Sequence, residues 1–161
     1  MGPEAFERLY EEHARGLLAF LVYRSGDVAL AEDILADTFE RVLQRGASFD
    51  PKRGSEKTWL YSIALNRLRD HARRAEAEAR ALDRSRACGG TGATSATDVV
   101  EDRDAVRKAL SRLSEEELEA VALRYGADLS IREIATIVRT PSTPVKGRLY
   151  HALRKLRDEL A

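Results

Sequence analysis

Cysteine, aromatic residues and long apolar runs are scarce in this chain of 161 residues. The single cysteine, Cys88, excludes an internal disulfide, and 6% aromatic residues leave little of the clustering that β-sheets use. No apolar run approaches the roughly 20 residues that span a bilayer. The first residues, MGPEAFERLYEEH, have neither the basic start nor the apolar centre of a secretion signal. These absences predict a protein of the reducing cytoplasm without membrane insertion.

Net charge is absent as well, although charged residues are plentiful. Lysine plus arginine and aspartate plus glutamate number 27 each, and such a balance by itself argues against a nucleic-acid partner. The two signs are segregated along the chain, however, so local charge is the better guide. Hydrophobic residues make up 43% of the chain and recur at helical spacing. The sequence therefore predicts an all-α protein of one ordinary domain or two small ones.

One change of composition divides the chain. Residues 87–97 read ACGGTGATSAT, a run of small residues without charge that is typical of a flexible linker. We expect a helical domain over residues 1–80, a flexible linker over 81–98 and a second helical domain over 99–161. Three stretches with helical spacing precede the linker: Phe6–Leu21, Ala31–Leu43 and Leu60–Ala72. A stretched chain from Arg74 to Asp98 would reach about 80 Å, enough to bridge two distant DNA sites.

Helix starts after the linker are marked by capping residues. Ser114 with Glu117, and Ser130 with Glu133, have the spacing of capping boxes, in which each side chain bonds a backbone N–H of the helix start. Gly126 is placed to end the helix that begins near Ser114. The spacing predicts four helices in the C-terminal half.

The tract from Ser130 to Leu160 has the pattern of a DNA-reading helix-turn-helix. Thr143 is predicted to cap the second helix, with Pro144 at its first position. The buried stripe of that helix is predicted to be Val145, Leu149, Leu153, Leu156 and Leu160. Its outward face carries Lys146, Arg148, His151, Arg154, Lys155 and Arg157, opposed only by Asp158 and Glu159. Such a face suits phosphates, although a basic face that is merely solvated remains the alternative.

A second basic region lies in the N-terminal half. Residues 46–57, GASFDPKRGSEK, contain Asp-Pro and Arg-Gly steps that predict a turn-rich loop. The loop and the following helix hold Lys52, Arg53, Lys57, Arg67, Arg69, Arg73 and Arg74, with Trp59 and Tyr61 among them. Cations interleaved with aromatic rings suit single-stranded nucleic acid, because bases stack on rings while phosphates meet cations. A purely structural role for Trp59 as a core anchor is the alternative.

The second helix of the N-terminal half is acidic outside its apolar positions. Its carboxylates are Glu32, Asp33, Asp37 and Glu40. An acidic helix suits a basic protein partner better than DNA. A solvated acidic face is an equally good interpretation of these residues taken alone.

These tracts together resemble the bacterial extracytoplasmic-function sigma factors, short specificity subunits of RNA polymerase in the sigma-70 family. AEDILADTFERVLQ is similar to the part of region 2 that docks on the polymerase, and TWLYSIALNRLRDHARR to its promoter-melting and minus-10 segment. ALSRLSEEELEAVALRYGADLSIREIA and PVKGRLYHALRKLR resemble region 4, which reads the minus-35 element. The resemblance covers nearly the whole chain and implies a non-enzymatic subunit that directs promoter-specific initiation without cofactor, metal or catalytic residues.

Residue roles are implied by the same resemblance. Docking on the polymerase falls to Asp33, Asp37, Thr38, Phe39 and Glu40, with Phe39 favoured as a core anchor. Minus-10 DNA contacts fall to Lys52, Arg53, Ser55, Lys57, Trp59, Asn66, Asp70 and Arg73. Minus-35 DNA contacts fall to Arg139, Lys146, Gly147, Arg148, Tyr150 and His151. The implied partners are core RNA polymerase, through its beta-prime clamp helices and beta flap, promoter DNA and an anti-sigma factor.

Two other classes of function remain as alternatives. A stand-alone helix-turn-helix repressor or activator would need only the tract from Ser130 to Leu160 and a dimer surface, and would leave the N-terminal loop unexplained. A cofactor-free hydrolase would have to use His13, His71 and His151. These histidines lie on different predicted helices, with no nucleophile elbow or phosphate-binding glycine loop nearby.

Overall fold

The structure is a computed structural model that describes residues 2–83 and 101–161. This part of the chain is helical and contains no β-strand, which confirms the all-α fold. Its α-helices are α1 (Pro3–Ser25), α2 (Val28–Arg45), α3 (Glu56–Asp83), α4 (Glu101–Ser111), α5 (Glu115–Val121), α6 (Ile131–Val138) and α7 (Ser142–Leu160). A short 3₁₀ helix, Gly46–Ser48, follows α2. Most of the predicted linker, including Cys88, falls outside the described residues, but residues 81–83 belong to α3.

The N-terminal half is a three-helix unit built from α1, α2 and α3. Gly26 ends α1 in the left-handed conformation, with φ of 73°, and its N–H donates to the carbonyl of Val22 at 2.8 Å. Asp27 then caps α2 by accepting a hydrogen bond from the N–H of Leu30 at 3.2 Å. The apolar faces of the helices meet in a core that includes Leu9, Leu17, Phe20, Leu21, Ala31, Ile34, Val42, Leu60, Tyr61, Ala64 and Leu65.

Two apolar residues within the stretches of helical spacing are exposed. Leu43 is 61% exposed near the end of α2, and Tyr10 is 47% exposed although its ring packs on Phe39 at 4.9 Å. Both lie at the edge of an apolar stripe, which the neighbouring helix does not cover. Helical spacing identifies the stripe but not how wide the covered part of it is.

The C-terminal half contains α4, α5, α6 and α7. Ser114 caps α5 by accepting from the N–H of Glu117 at 3.2 Å. The carboxylate of Glu117 also accepts a hydrogen bond from Lys155 on α7 at 2.7 Å, so its partners are not confined to the cap. After Val121 the chain widens into a π-helical turn, Ala122–Gly126. Gly126 is the last residue of this turn and Ala127 is its C-cap, so the segment ends one residue later than the cap predicted at Gly126.

The helix-turn-helix is formed by α6 and α7. The capping box of Ser130 and Glu133 is confirmed, with both reciprocal hydrogen bonds present. The predicted cap of the second helix is wrong, since α7 begins at Ser142 and the preceding Pro141 offers no side-chain cap. Its buried residues are Val145, Leu149 and Ala152.

The predicted buried stripe of α7 was partly wrong as well. Leu153 and Leu160 are 39% and 50% exposed. Repeats of about 3.6 residues per turn keep Val145, Leu149 and Ala152 on one line and carry these two leucines to its edge.

The two halves are packed against each other in the structure. The π-helical turn after α5 lies against α1, and α6 lies against α3. Buried side chains from both halves, such as Leu17 and Leu123, belong to one continuous apolar cluster. The described residues therefore share a single core.

Candidate nucleic-acid interface

The loop before α3 holds its two cations out into solvent. Asp50 organises the turn, because its side chain accepts a hydrogen bond from the N–H of Lys52 at 3.0 Å and its carbonyl accepts one from the N–H of Arg53 at 3.0 Å. The side chain of Arg53 is 90% exposed. Its Nε lies 4.0 Å from Asp50, a weak exposed pair that a phosphate could replace.

The start of α3 is fixed from two sides. Ser55 accepts a hydrogen bond from the N–H of Thr58 at 3.1 Å, so this predicted DNA residue also acts as a helix cap. Arg8 on α1 donates to both carboxylate oxygens of Glu56, at 3.0 and 3.1 Å. Gly54 precedes this start with φ of 156°, a backbone conformation that other residues rarely adopt. The loop is thus held rigidly where it meets the helix.

The predicted minus-10 residues on α3 form a stripe, defined here as Trp59, Asn66, Asp70 and Arg73. Steps of seven, four and three residues place them on one face of the helix, and the last three are exposed. Asp70 and Arg73 lie 3.9 Å apart. Lys57 lies off this face and is half-buried.

The side chain of Trp59 is neither fully buried nor fully exposed. Its ring packs on Phe49 with centroids 5.3 Å apart, and its side chain is only partly buried against the core. Phe49 therefore braces the indole from the loop side while some of the ring stays accessible. A braced, half-open aromatic ring is suited to stacking with an unpaired base.

The acidic helix α2 presents fewer of its predicted docking residues than expected. Thr38 is fully buried and donates to the carbonyl of Ile34 at 2.6 Å, and Phe39 is 5% exposed, as a core anchor should be. Asp37 forms an ion pair with Arg67 on α3. Asp33 and Glu40 are exposed. The surface open to a partner is therefore acidic, while Thr38 and Phe39 support it from beneath.

The cations of α7 are divided between two directions. Arg148 lies 3.5 Å from Glu116, and Lys155 donates to Glu117 at 2.7 Å, both on α5. The prediction that only Asp158 and Glu159 oppose the basic face was therefore wrong, and Glu159 itself pairs with Arg112 at 3.4 Å. The acidic start of α5, with Glu115, Glu116 and Glu117, was the available signal.

Glu117 is the best-enclosed member of this ionic contact. Its side chain is 12% exposed, against 46% for Lys155. Burial alone would raise the pKa of the Glu117 carboxyl, but the hydrogen bonds from Lys155 and Ser114 outweigh burial and hold the pKa below its usual value. The carboxylate therefore stays charged and keeps Lys155 turned toward α5.

The face of α7 that points away from the core is less crowded. Lys146, Tyr150 and His151 are exposed, and Gly147 is half-buried between them. The rings of Tyr150 and His151 meet edge-on at 5.8 Å. Arg154 and Arg157 are exposed as well, as predicted for the basic outward face of this helix.

Arg139 lies at the turn that connects the two helices of the motif. Together with Arg132, Thr140 and Ser142 it lines an open cleft at the start of α7. The first N–H groups of a helix without a side-chain cap are free to bind an anion. The cleft therefore has the chemistry of a phosphate contact beside the reading face.

The remaining chemical possibilities receive no support from residues 2–83 and 101–161. His13, His71 and His151 lie on α1, α3 and α7. No group of three or more histidine, cysteine, aspartate or glutamate side chains in these ranges could hold a metal ion. Nor does any helix there combine the length and apolar character needed to cross a bilayer.

Family comparisons match both halves of the chain separately. Residues 9–78 match the family described as Sigma-70 region 2. Residues 103–156 match the family described as Sigma-70, region 4. The first match contains the acidic helix, the cationic loop and the stripe on α3, and the second contains the helix-turn-helix.

Similar curated proteins match over almost the whole chain. The ECF RNA polymerase sigma factor SigL of Mycobacterium tuberculosis is 32% identical over 152 residues, which cover 92% of this chain and 85% of that protein. The ECF RNA polymerase sigma factor RpoE of Cereibacter sphaeroides is 30% identical over 161 residues, with coverage of 98% and 87%.

Solved structures show the same fold. The sigma factor RpoE of Bartonella quintana, solved with the anti-sigma factor NepR, superposes with a TM-score of 0.80 at 24% identity, covering 98% of this chain and 97% of that one. CnrH, solved with the cytosolic domain of CnrY, gives a TM-score of 0.72 at 23% identity, with coverage of 99% and 89%.

Proposed function

This chain belongs to the extracytoplasmic-function sigma factors, the RNA polymerase subunits that direct transcription to particular promoters, and we propose which of its surfaces perform each step. The observation that carries the proposal is the stripe of Trp59, Asn66, Asp70 and Arg73 beside the cationic loop, in the same chain as a basic helix-turn-helix. A stand-alone repressor would have no use for the first of these surfaces. We propose a domain of residues 1–80, a connector of 81–98 whose first three residues continue α3, and a domain of 99–161.

Docking on the polymerase is assigned to the exposed side of α2. Asp33 and Glu40 would meet basic residues of the beta-prime clamp helices, while Thr38 and Phe39 hold the helix in place from the core side. Asp37 is shared between this surface and Arg67, so docking and the orientation of α3 are coupled. The beta flap is the proposed partner of the C-terminal half.

Melting is assigned to the loop and the stripe on α3. Lys52 and Arg53 would hold the phosphates of the nontemplate strand, and the open side of Trp59 would stack on a base that has left the duplex. Asn66 offers an amide that can hydrogen-bond to a base edge. No bond is made or broken in this step, because trapping the unpaired base is enough to favour the open form.

Reading of the minus-35 element is assigned to the outward face of α7. Lys146 and Tyr150 face the groove, His151 and Gly147 complete that face, and Arg139 meets a phosphate beside the start of α7. Arg148 contributes less, because Glu116 competes for it. Specificity comes from base edges, and phosphate contacts set the register.

Run-off transcription tests the proposal as a whole. Purified chain and core polymerase should initiate at a cognate promoter selected from a library of fragments, and neither component alone should do so. Trp59→Ala should slow open-complex formation more than it weakens docking on core polymerase. A chain that lacks part of the loop 52–57 should behave in the same way. Normal melting by both variants contradicts the loop assignment.

Location and regulation follow from the partner. Bacterial core polymerase acts in the cytoplasm, so this chain would act there too, as a regulatory subunit without an enzymatic reaction of its own. One similar structure was solved with an anti-sigma factor, and an anti-sigma protein is a proposed partner here. Its binding to purified chain, and loss of run-off transcription when it is added, would identify it.

A further inference from the structure

The two halves of the chain are joined by polar contacts along one side of α3. Arg69 donates through Nη2 to Oε2 of Glu119 on α5 at 3.0 Å. Near the start of the same helix, the hydroxyl of Thr58 donates to Oε2 of Glu133 on α6 at 3.3 Å. Partners in these contacts are 50 and 75 residues apart in the sequence, so each contact closes a long segment of chain.

These contacts are better enclosed than ordinary surface ion pairs. The side chain of Glu119 is 8% exposed, and that of Arg69 is 38% exposed. Thr58 is 4% exposed. A carboxylate taken out of water needs a charged or hydrogen-bonding partner, and Arg69 supplies one across the boundary between the halves. The buried carboxylate of Glu119 therefore has its charged partner only when the two halves are packed together.

The contacts lie beside the proposed minus-10 stripe on α3. Thr58 and Arg69 are on one face of the helix, and Trp59 and Asn66 are roughly a quarter turn away at 100° per residue. The C-terminal half thus flanks the stripe, and its Glu133 meets the residue next to Trp59.

The packed arrangement is too compact to serve both promoter elements. This step rests on the proposed function. The minus-35 and minus-10 elements lie about 25 base pairs apart, or roughly 85 Å at 3.4 Å per base pair. In the structure α7 packs on α6 and α6 packs on α3, and packed helix axes lie about 8–10 Å apart. The recognition helix therefore lies far too close to α3 for both elements to be bound at once.

We propose that the pairs Arg69–Glu119 and Thr58–Glu133 form an intramolecular latch that holds the free chain closed. The latch opens before the chain engages both promoter elements. Only the open form can bind both promoter elements. The apparent dissociation constant of the holoenzyme for promoter DNA is therefore larger when a smaller fraction of the chain is open.

The latch is tested on the free full-length chain by fluorescence energy transfer. Donor and acceptor dyes are attached through Glu11→Cys on α1 and Asp158→Cys on α7, two exposed positions, in a Cys88→Ser background. The chain with both latch pairs intact should give one dominant, short distance between the two dyes. Arg69→Ala and Glu119→Gln should each raise the ratio of open to closed molecules by about threefold to tenfold, as expected for the loss of one hydrogen bond whose arginine is partly exposed.

Matched controls separate the latch from general effects of charge. Arg74→Ala removes an exposed arginine from the same helix and should leave the ratio unchanged. The double variant of Arg69 and Glu119 should shift the ratio by less than the product of the two single shifts, because both remove one bond. Circular dichroism checks that each variant keeps its helices. If Glu119→Gln loses helix content, the test rests on Arg69→Ala alone, because the side chain of Arg69 lies outside the core.

Two results overturn the latch. One is a wild-type chain dominated by long distances, and the other is a ratio that Arg69→Ala changes no more than Arg74→Ala does. These measurements contain neither polymerase nor DNA, so they are independent of the proposed function. A closed chain that fails in run-off transcription refutes the proposed function alone, and a transcribing chain without a closed form refutes the latch alone.

Discussion

Arg139 lies in the left-handed backbone conformation, with φ of 53° and ψ of 45°, where it ends α6. Glycine is the residue that adopts this conformation without strain. Arg139→Gly should therefore raise the free energy of unfolding by about 0.5–1 kcal/mol, which thermal unfolding can measure. The same change removes a cation from the cleft beside α7 and should weaken promoter binding. Stability and binding thus move in opposite directions.

A control distinguishes strain from charge at this position. Arg139→Lys keeps the charge and the strain, so both stability and promoter binding should stay near those of the unmodified chain. A lower melting temperature for Arg139→Gly would mean that the arginine side chain makes stabilising contacts that outweigh its backbone strain.

Glu117 links stability to pH through its hydrogen bond with Lys155. Because the pKa of Glu117 in the folded chain lies below its usual value of 4.5, its contribution is complete above about pH 4.5 and is lost as the pH falls through the folded pKa. At pH 7, Glu117→Gln should lower the free energy of unfolding by about 1 kcal/mol. Below pH 4 the difference from the unmodified chain should shrink, as followed by urea unfolding.

The neighbouring glutamate provides a matched control for this pH dependence. Glu116 is 70% exposed and lies 3.5 Å from Arg148. Exposed pairs of this kind contribute little, so Glu116→Gln should cost less than about 0.5 kcal/mol at either pH. Equal effects of the two substitutions would contradict the special role of the enclosed carboxylate.

At the scale of the helix, α7 carries its cations on two sides, one facing solvent and one facing α5. Lys146 faces outward, whereas Arg148 and Lys155 are turned toward the glutamates of α5. A cation that neutralises a phosphate on binding releases about one counterion, so it steepens the salt dependence of binding by about 0.9 in a plot of log K against log salt. The two sides should therefore differ in salt dependence.

This division predicts different results for two single substitutions in α7. Lys146→Ala should reduce the salt slope of holoenzyme binding to promoter DNA by about 0.9. Arg148→Ala should reduce it by clearly less, because Glu116 already neutralises this arginine in part. Salt titrations monitored by fluorescence anisotropy measure both slopes. A reduction for Arg148→Ala as large as that for Lys146→Ala would show that the arginine leaves Glu116 and binds a phosphate.

For the molecule as a whole, the sequence was sufficient where the signals were local. The all-α fold and the Ser130 cap with Glu133 follow from spacing within one helix, whereas the residues of the stripe on α3 were assigned through the resemblance to a family. The pairing of Glu117 with Lys155 and of Arg69 with Glu119 does not, because each joins distant parts of the chain. Capping chemistry allowed Glu117 to bond Ser114, and only the packing of α5 on α7 gives the carboxylate a stronger partner.

The length of the connector limits how far the two halves can separate. Since α3 continues to Asp83, residues 74–83 rise by only about 1.5 Å each, and the stretch of about 80 Å expected from Arg74 to Asp98 is too long. The covalent length of residues 84–100 allows at most roughly 60 Å between the end of α3 and the start of α4. This length and the part of α3 that extends beyond the stripe together come close to the roughly 85 Å between the two promoter elements.

Shortening the connector should therefore affect function before it affects folding. Removing eight residues from within 87–97 takes away roughly 25 Å of reach. Run-off transcription from a promoter with both elements should fall at least tenfold. Replacing residues 87–97 by glycine and serine at the same length should leave transcription unchanged. The shortened chain should still show the short dye distance of the closed form, since closure needs little reach. Full transcription by the shortened chain would mean that the two halves engage the promoter much closer together than the spacing of its elements requires.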